Sequence, residues 1–205
     1  MDDAGRSPAR VALIDAAERL IAEQGPAVSL RQVVTAAGQR NSAAIRYHFG
    51  AREQLIAAVV EARQSIFEPK RLDRLAALEA DGEADARGLL EALLAPVFEY
   101  QRAATPSYHA RFMEKIRDFP GVELLGRQDW AATNLIARRL TRMAGPATDA
   151  TRAIRARGLM TVVFALLADL ERAQYATPDE RTAAEQATLD MVLGVVNSAK
   201  AAATP

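Results

Sequence analysis

The chain has 205 residues, and its 26 basic and 26 acidic side chains cancel. It contains no Cys and only two His, His48 and His109, which excludes a disulfide framework, thiolate metal sites and a His-rich metal cluster, so no metal and no cofactor is expected. Half of the residues are hydrophobic, but 44 are Ala while Val and Ile together number 21, a balance that favours helices over sheet. The length suits one large or two small domains. Two aspartates follow Met1 where a signal peptide has a basic start, and the apolar runs stop well short of the roughly 18 residues of a membrane span, so a soluble, cytoplasmic protein is expected.

In chain order, residues Ala9 to Gln24 place Leu13, Ala16, Ala17, Leu20 and Ile21 at helical spacing, and Gly25-Pro26 ends that first helix. Ser29-Leu30-Arg31-Gln32 has the form of a capping box. It opens a two-turn helix with Leu30, Val33, Val34 and Ala37 inward, which meets Gly38. Asn41 and Ser42 are good N-caps for a second short helix, Ala43 to Phe49, with Ile45 and Phe49 on one face and Gly50 at its end. A fourth helix is predicted from about Arg52 to Phe67, interrupted by Pro69. The following segments are predicted as a short piece over Arg71 to Ala80, a helix Ala84 to Ala103 kinked at Pro96, one from Thr105-Pro106 to Phe119, and a long one from Val122 to Ala144 that includes Trp130. Two last helices, Asp149 to Tyr175 and Pro178 to about Ala199, are joined by a tight link with Thr177 as N-cap and should form an antiparallel hairpin. The expectation is an all-α chain of about nine helices, with one domain over residues 7–68 and another over 69–205.

Charge is not uniform along this map. From Gln24 to Arg52 there is no carboxylate, while Arg31, Arg40, Arg46 and Arg52 give that window a local charge of +4. Phosphate recognition depends on where positive charge is concentrated, not on the overall balance. Two short helices joined by a Gly-containing turn are the geometry of a helix-turn-helix, whose second helix enters the major groove. With Ile45 and Phe49 turned to the core, that helix presents Asn41, Ser42, Ala44, Arg46, Tyr47 and His48 outward, where a solvated face would carry Glu and Lys. Small residues permit close approach, and Asn, Ser, Arg, Tyr and His can bond base edges or phosphates. DNA binding is the reading these residues support.

The run from Leu13 through Gly25, Val28-Ser29-Leu30-Arg31-Gln32-Val33, Ala37-Gly38, Ile45-Arg46-Tyr47-His48-Phe49 and Arg52-Glu53-Gln54-Leu55 resembles the TetR-type transcriptional regulators over about the first 60 residues. The resemblance implies an all-helical homodimer with an N-terminal DNA-binding domain and a divergent C-terminal domain that binds small molecules and dimerises. It implies that Arg46, Tyr47 and His48 meet DNA and that Arg52 is a phosphate contact at the start of the fourth helix. Ser29 and Arg31 on the first helix of the motif, and Arg40, Asn41, Ser42 and Ala44 on the turn and second helix, complete the expected DNA-binding set. The chain departs from the family pattern in a Gly38 to Phe49 stretch one residue longer, and in Ala51 where a Ser or Asn cap is usual.

Residues 69–205 hold 18 basic and 18 acidic side chains, with no sign of a second nucleic-acid surface. Phe98, Tyr100, His109, Phe112, Met113, Trp130, Asn134 and Phe164 lie on helices that in the family surround a cavity, a mixture suited to a small, mainly apolar effector. Leu159, Val163, Phe164, Leu167 and Leu170, with Ala187, Val192, Val195, Val196 and Ala199, suggest more apolar surface than a terminal hairpin hides alone. A four-helix bundle across a two-fold axis would cover it, with Leu159, Val163, Leu167, Leu170, Val192, Val195 and Val196 as the dimer interface. The reading is a homodimeric repressor of a palindromic double-stranded operator, released when ligand tilts the helices near Pro69 and Pro96. An enzyme would need convergent nucleophile, base or paired carboxylates, and none is evident. An all-helical ligand-binding or adaptor protein without operator binding is the alternative.

Overall fold

The computed structural model describes residues 7–39, 44–82, 84–104, 106–120, 129–143 and 145–201. These form nine α-helices and no strand: α1 (Pro8–Gln24), α2 (Leu30–Ala36), α3 (Ala44–His48), α4 (Arg52–Asp81), α5 (Ala86–Ala103), α6 (His109–Ile116), α7 (Ala131–Met143), α8 (Asp149–Arg172) and α9 (Pro178–Ala201). Contacts divide the chain into two compact units, one of Met1–Ser65 with Tyr108–Leu124 and one of Ile66–Ser107 with Leu125–Pro205. Among the described residues, no helix is long and apolar enough to cross a membrane.

In the first unit, Ser7 caps α1 by accepting from the Arg10 amide, and Pro8 takes the first helical position, where its missing N–H costs nothing. Leu13, Ala17, Ile21, Val33, Val34, Ile45, Leu55, Ile56 and Val59 form its core. α6 packs along α1 and adds Ala110, Phe112, Met113 and Ile116. In the second unit α8 and α9 pair as the expected hairpin, with α5 and α7 also packed on α9. Leu89, Leu90, Leu94, Ile136, Leu140, Leu167 and Val192 are buried there.

Four predicted boundaries are corrected. Pro69 does not interrupt the fourth helix: α4 continues to Asp81 and absorbs the predicted Arg71 to Ala80 piece. An interior proline forfeits one hydrogen bond and crowds the carbonyl a turn back, about 3 kcal/mol, but here the residues beside it are anchored in the second unit. Glu68 accepts from the amides of Ala132 and Thr133, and Arg71 Nε donates to the Leu93 carbonyl at 3.0 Å. The same Glu68 carboxylate caps the start of α7, and Trp130 precedes that helix instead of lying inside it; residues 122–128 and 144 of the predicted Val122 to Ala144 segment lie outside the described residues. α6 starts at His109, after the predicted Thr105-Pro106, because the Ser107 hydroxyl that could have capped an earlier turn donates instead to Glu171 at 2.6 Å. α8 ends at Arg172, short of Tyr175, whose hydroxyl turns back toward the Leu170 carbonyl.

Candidate nucleic-acid interface

The helix-turn-helix is built by local chemistry. Ser29 Oγ accepts from the Gln32 amide at 3.2 Å, and the Gln32 side chain accepts from the Ser29 amide at 2.9 Å, so the capping box is complete. The turn after α2 closes at Gly38, whose φ of +68° is a left-handed conformation that only Gly adopts without strain. Gly50, at φ +81°, ends α3 in the same way, its amide reaching the Ile45 and Arg46 carbonyls. Ile45 and Phe49 anchor α3 to the core, as their spacing requires, although Phe49 itself lies just past the helix end.

With that face fixed, α3 turns Arg46 and Tyr47 outward. Arg46 is exposed and Tyr47 is 85% exposed, while His48 is half-buried between its ring neighbours. Tyr47 and His48 meet edge to face with centroids 4.9 Å apart. Ser29 and Arg31 are exposed at the start of α2. An aromatic ring held almost wholly in solvent gives up hydrophobic stabilisation, and it stands beside a free-standing guanidinium in a stretch with no carboxylate to oppose it. Such a face can take phosphate oxygens and base edges. The expected contacts Arg40, Asn41 and Ser42 lie outside the described residues, as does the Ala44 side chain.

Arg52, which the resemblance makes a phosphate contact, also has partners inside the chain. It is half-buried, and Nη1 donates to the Pro26 carbonyl at 2.8 Å and the Val28 carbonyl at 2.5 Å. It ties the start of α4 to the α1–α2 loop, immediately before the capping box. Sequence reading also passed over Arg10, whose guanidinium lies 5.2 Å from the Phe49 ring centroid and so supports the end of α3 from α1.

The residues expected to line an effector cavity are divided between the two units. His109, Phe112 and Met113 are buried in the first unit, while Phe98, Tyr100, Trp130, Asn134 and Phe164 belong to the second. Phe98 and Trp130 are buried; Tyr100, Asn134 and Phe164 are half-buried. Tyr100 packs edge to face on Phe67 at 5.6 Å, and the Phe67 ring also lies under the Arg71 guanidinium. Arg71 is the deepest charge of this unit, paired with Glu68 at 3.5 Å and donating to Thr133 Oγ1 at 3.0 Å. Burial pulls its pKa down to about 10, with the Glu68 charge opposing. It was legible in principle as a charge on the buried stripe Phe67, Arg71, Leu75.

Of the expected interface residues on the last two helices, Val163, Leu167, Leu170, Val192 and Val196 are buried within the single chain. Leu159 is half-buried and Val195 is 37% exposed. The apolar surface still open on this hairpin is a different set: Ile154 at 73% and Met191 at 50%, beside the exposed helical glycines Gly158 and Gly194. Nothing lies within 4 Å of where a Cβ would stand at either glycine.

Residues 13–59 match the family model of bacterial regulatory proteins, tetR family. No curated protein matches the chain. The matched stretch runs from the core of α1 through α2 and α3 into α4 and contains the capping box, the Gly38 turn and the exposed Arg46-Tyr47 face. Residues 13–59 thus form a helix-turn-helix domain of the kind found in the tetR family of DNA-binding regulators of transcription.

Proposed function

We propose that the protein is a homodimeric repressor that reads a palindromic operator and is released from it by a small, mainly apolar ligand. The observation that carries this reading is the α3 face: Arg46 and Tyr47 stand exposed on a helix seated by Ile45 and Phe49, in a window without carboxylates. Dimerisation is supported by Ile154, Gly158, Leu159, Met191, Gly194 and Val195, an exposed and partly apolar strip on α8 and α9 whose glycines leave room for close helix approach. Two reading heads on a two-fold axis would then meet successive major grooves about one turn apart. The aromatic set of the second unit, Phe98, Tyr100, Trp130 and Phe164 with Asn134, supports a ligand of apolar body and few polar groups. The unbroken α4, from Arg52 to Asp81, supports that helix as the element through which ligand changes the separation of the heads.

The test is fluorescence anisotropy with duplex DNA flanking the protein's own coding region, titrated with salt and with unlabelled nonspecific competitor. Saturable binding that survives competitor and falls steeply with salt is the expected result. Binding no tighter than to random duplex, there and after selection from a random library, would overturn the operator reading in favour of a helical ligand-binding or adaptor protein.

A further inference from the structure

On α1 the buried stripe Ile14, Ala17, Glu18, Ile21 contains one carboxylate, and Glu18 is 4% exposed. Arg63 of α4 holds it with two groups: Nε lies 2.9 Å from Oε1 and 3.1 Å from Oε2, and Nη2 lies 2.6 Å from Oε2. Arg63 Nη2 also donates to Asp15 Oδ1 at 2.7 Å. On the other side, His109 Nδ1 stands 3.5 Å from Glu18 Oε1, within ion-pair distance but without a hydrogen bond between them, and both side chains are 5% exposed. His109 is the first residue of α6, the helix that packs along α1 although the chain reaches it only after α5. Ser107, two residues earlier, is committed to Glu171 in the second unit.

Apolar side chains would pack this seam with equal or greater strength, since a buried ion pair often adds nothing over a hydrophobic substitute of the same volume. What a buried, hydrogen-bonded charge adds is geometry, because its partners must sit where their donors reach it. Three helices converge on one carboxylate here. We propose that Glu18 is a positioning residue for DNA reading: hydrogen-bonded to Arg63 and facing the polar Nδ1 of His109 at 3.5 Å, it fixes α6 against α1 and α4, and operator affinity depends on that clasp. The inference rests on the operator-binding reading for its effect on DNA, but not for its effect on α6. The residue that distinguishes this clasp from ordinary packing is His109, whose ring could be replaced by an apolar side chain of similar size if only volume mattered.

The experiment compares His109→Leu, which keeps bulk and removes the polar Nδ1 that faces Glu18, with His109→Asn, whose amide falls near the Nδ1 position. Hydrogen exchange of the α6 amides is followed by mass spectrometry on the full chain, and operator binding by anisotropy. His109→Leu is expected to speed α6 exchange and to weaken operator binding about tenfold each, with His109→Asn returning both to within about twofold of wild type. If His109→Leu does not fold, His109→Gln replaces it, since its amide falls near Nε2 and misses the carboxylate. Equal α6 exchange in wild type, His109→Leu and His109→Asn overturns the clasp, and so does a loss that His109→Asn fails to restore. Wild-type protein that selects no duplex sinks the operator reading, and α6 exchange still decides whether the clasp holds that helix.

Discussion

Arg52 Nη1 lies 2.5 Å from the carbonyl oxygen of Val28, across 24 residues of chain, and the same nitrogen reaches the Pro26 carbonyl. A side chain that the family resemblance makes a phosphate contact thus also braces the loop from which α2 springs. Arg52→Ala should therefore lower stability by about 1–3 kcal/mol through two unsatisfied carbonyls. Urea unfolding would show the loss, whereas a residue acting only on phosphate would leave the midpoint unchanged and reduce the salt slope of DNA binding.

Arg46 and Tyr47 carry the opposite expectation. Both are exposed and neither helps seat α3, so Arg46→Ala and Tyr47→Ala should leave the unfolding free energy within about 0.5 kcal/mol of wild type. Operator affinity should fall, and if Arg46 meets a phosphate the slope of log K against log salt should shrink by about 1. Anisotropy at several salt concentrations separates that case from a base contact, which leaves the slope intact.

The Glu18 carboxyl predicts an acid limb to the stability curve. Burial pushes its pKa up, but the polar contacts and charge of His109 and Arg63 outweigh burial and leave it below its ordinary 4.5. A group lowered in the folded state contributes stability above its unfolded value and loses that contribution as pH falls through the folded one. Stability should thus decline below pH 4.5, and Glu18→Gln should flatten that part of the curve. Parallel acid limbs for variant and wild type, measured by urea unfolding across pH, would show that Glu18 does not contribute.

Glu68 and Arg71 form the second buried pair, with Glu68 also capping α7 through the Ala132 and Thr133 amides. Glu68→Gln removes the charge that opposes the buried Arg71 guanidinium and should cost about 3–5 kcal/mol. The double variant Glu68→Gln with Arg71→Met should cost clearly less than the two single changes added together. Additive costs in a double-mutant cycle would mean that the two side chains act separately.

The exposed strip on α8 and α9 gives a further expectation. Ile154→Asp puts a charge at the most open apolar side chain of that hairpin and should convert a dimer to monomer in analytical ultracentrifugation without unfolding the chain. Val192→Asp, at a fully buried position, should instead destabilise the protein itself.

Several elements were legible in the linear sequence because their causes are local. The capping box at Ser29, the left-handed turns at Gly38 and Gly50, and the Gly25 end of α1 depend on residues a few positions apart. The outward face of α3 followed from Ile45 and Phe49 claiming the other side. The α8–α9 hairpin followed from length and the Thr177-Pro178 start, but its inner and outer faces did not. Val163, Leu167, Leu170, Val192 and Val196 are buried within the chain itself, beside helices distant in sequence.

The sequence by itself determined that this is an all-helical chain with a helix-turn-helix near its start, since helix caps, periodicity and a carboxylate-free window are written in neighbouring residues. Only the tertiary structure decided where the long-range partners fall. It joined α6 to α1 around Glu18, carried α4 through Pro69 because Glu68 and Arg71 are anchored by residues more than twenty positions away, and gave Arg52 to the Val28 carbonyl. Spacing along a chain fixes which side chains share a helix face, but a buried charge takes its partner from whatever the fold brings within hydrogen-bond reach.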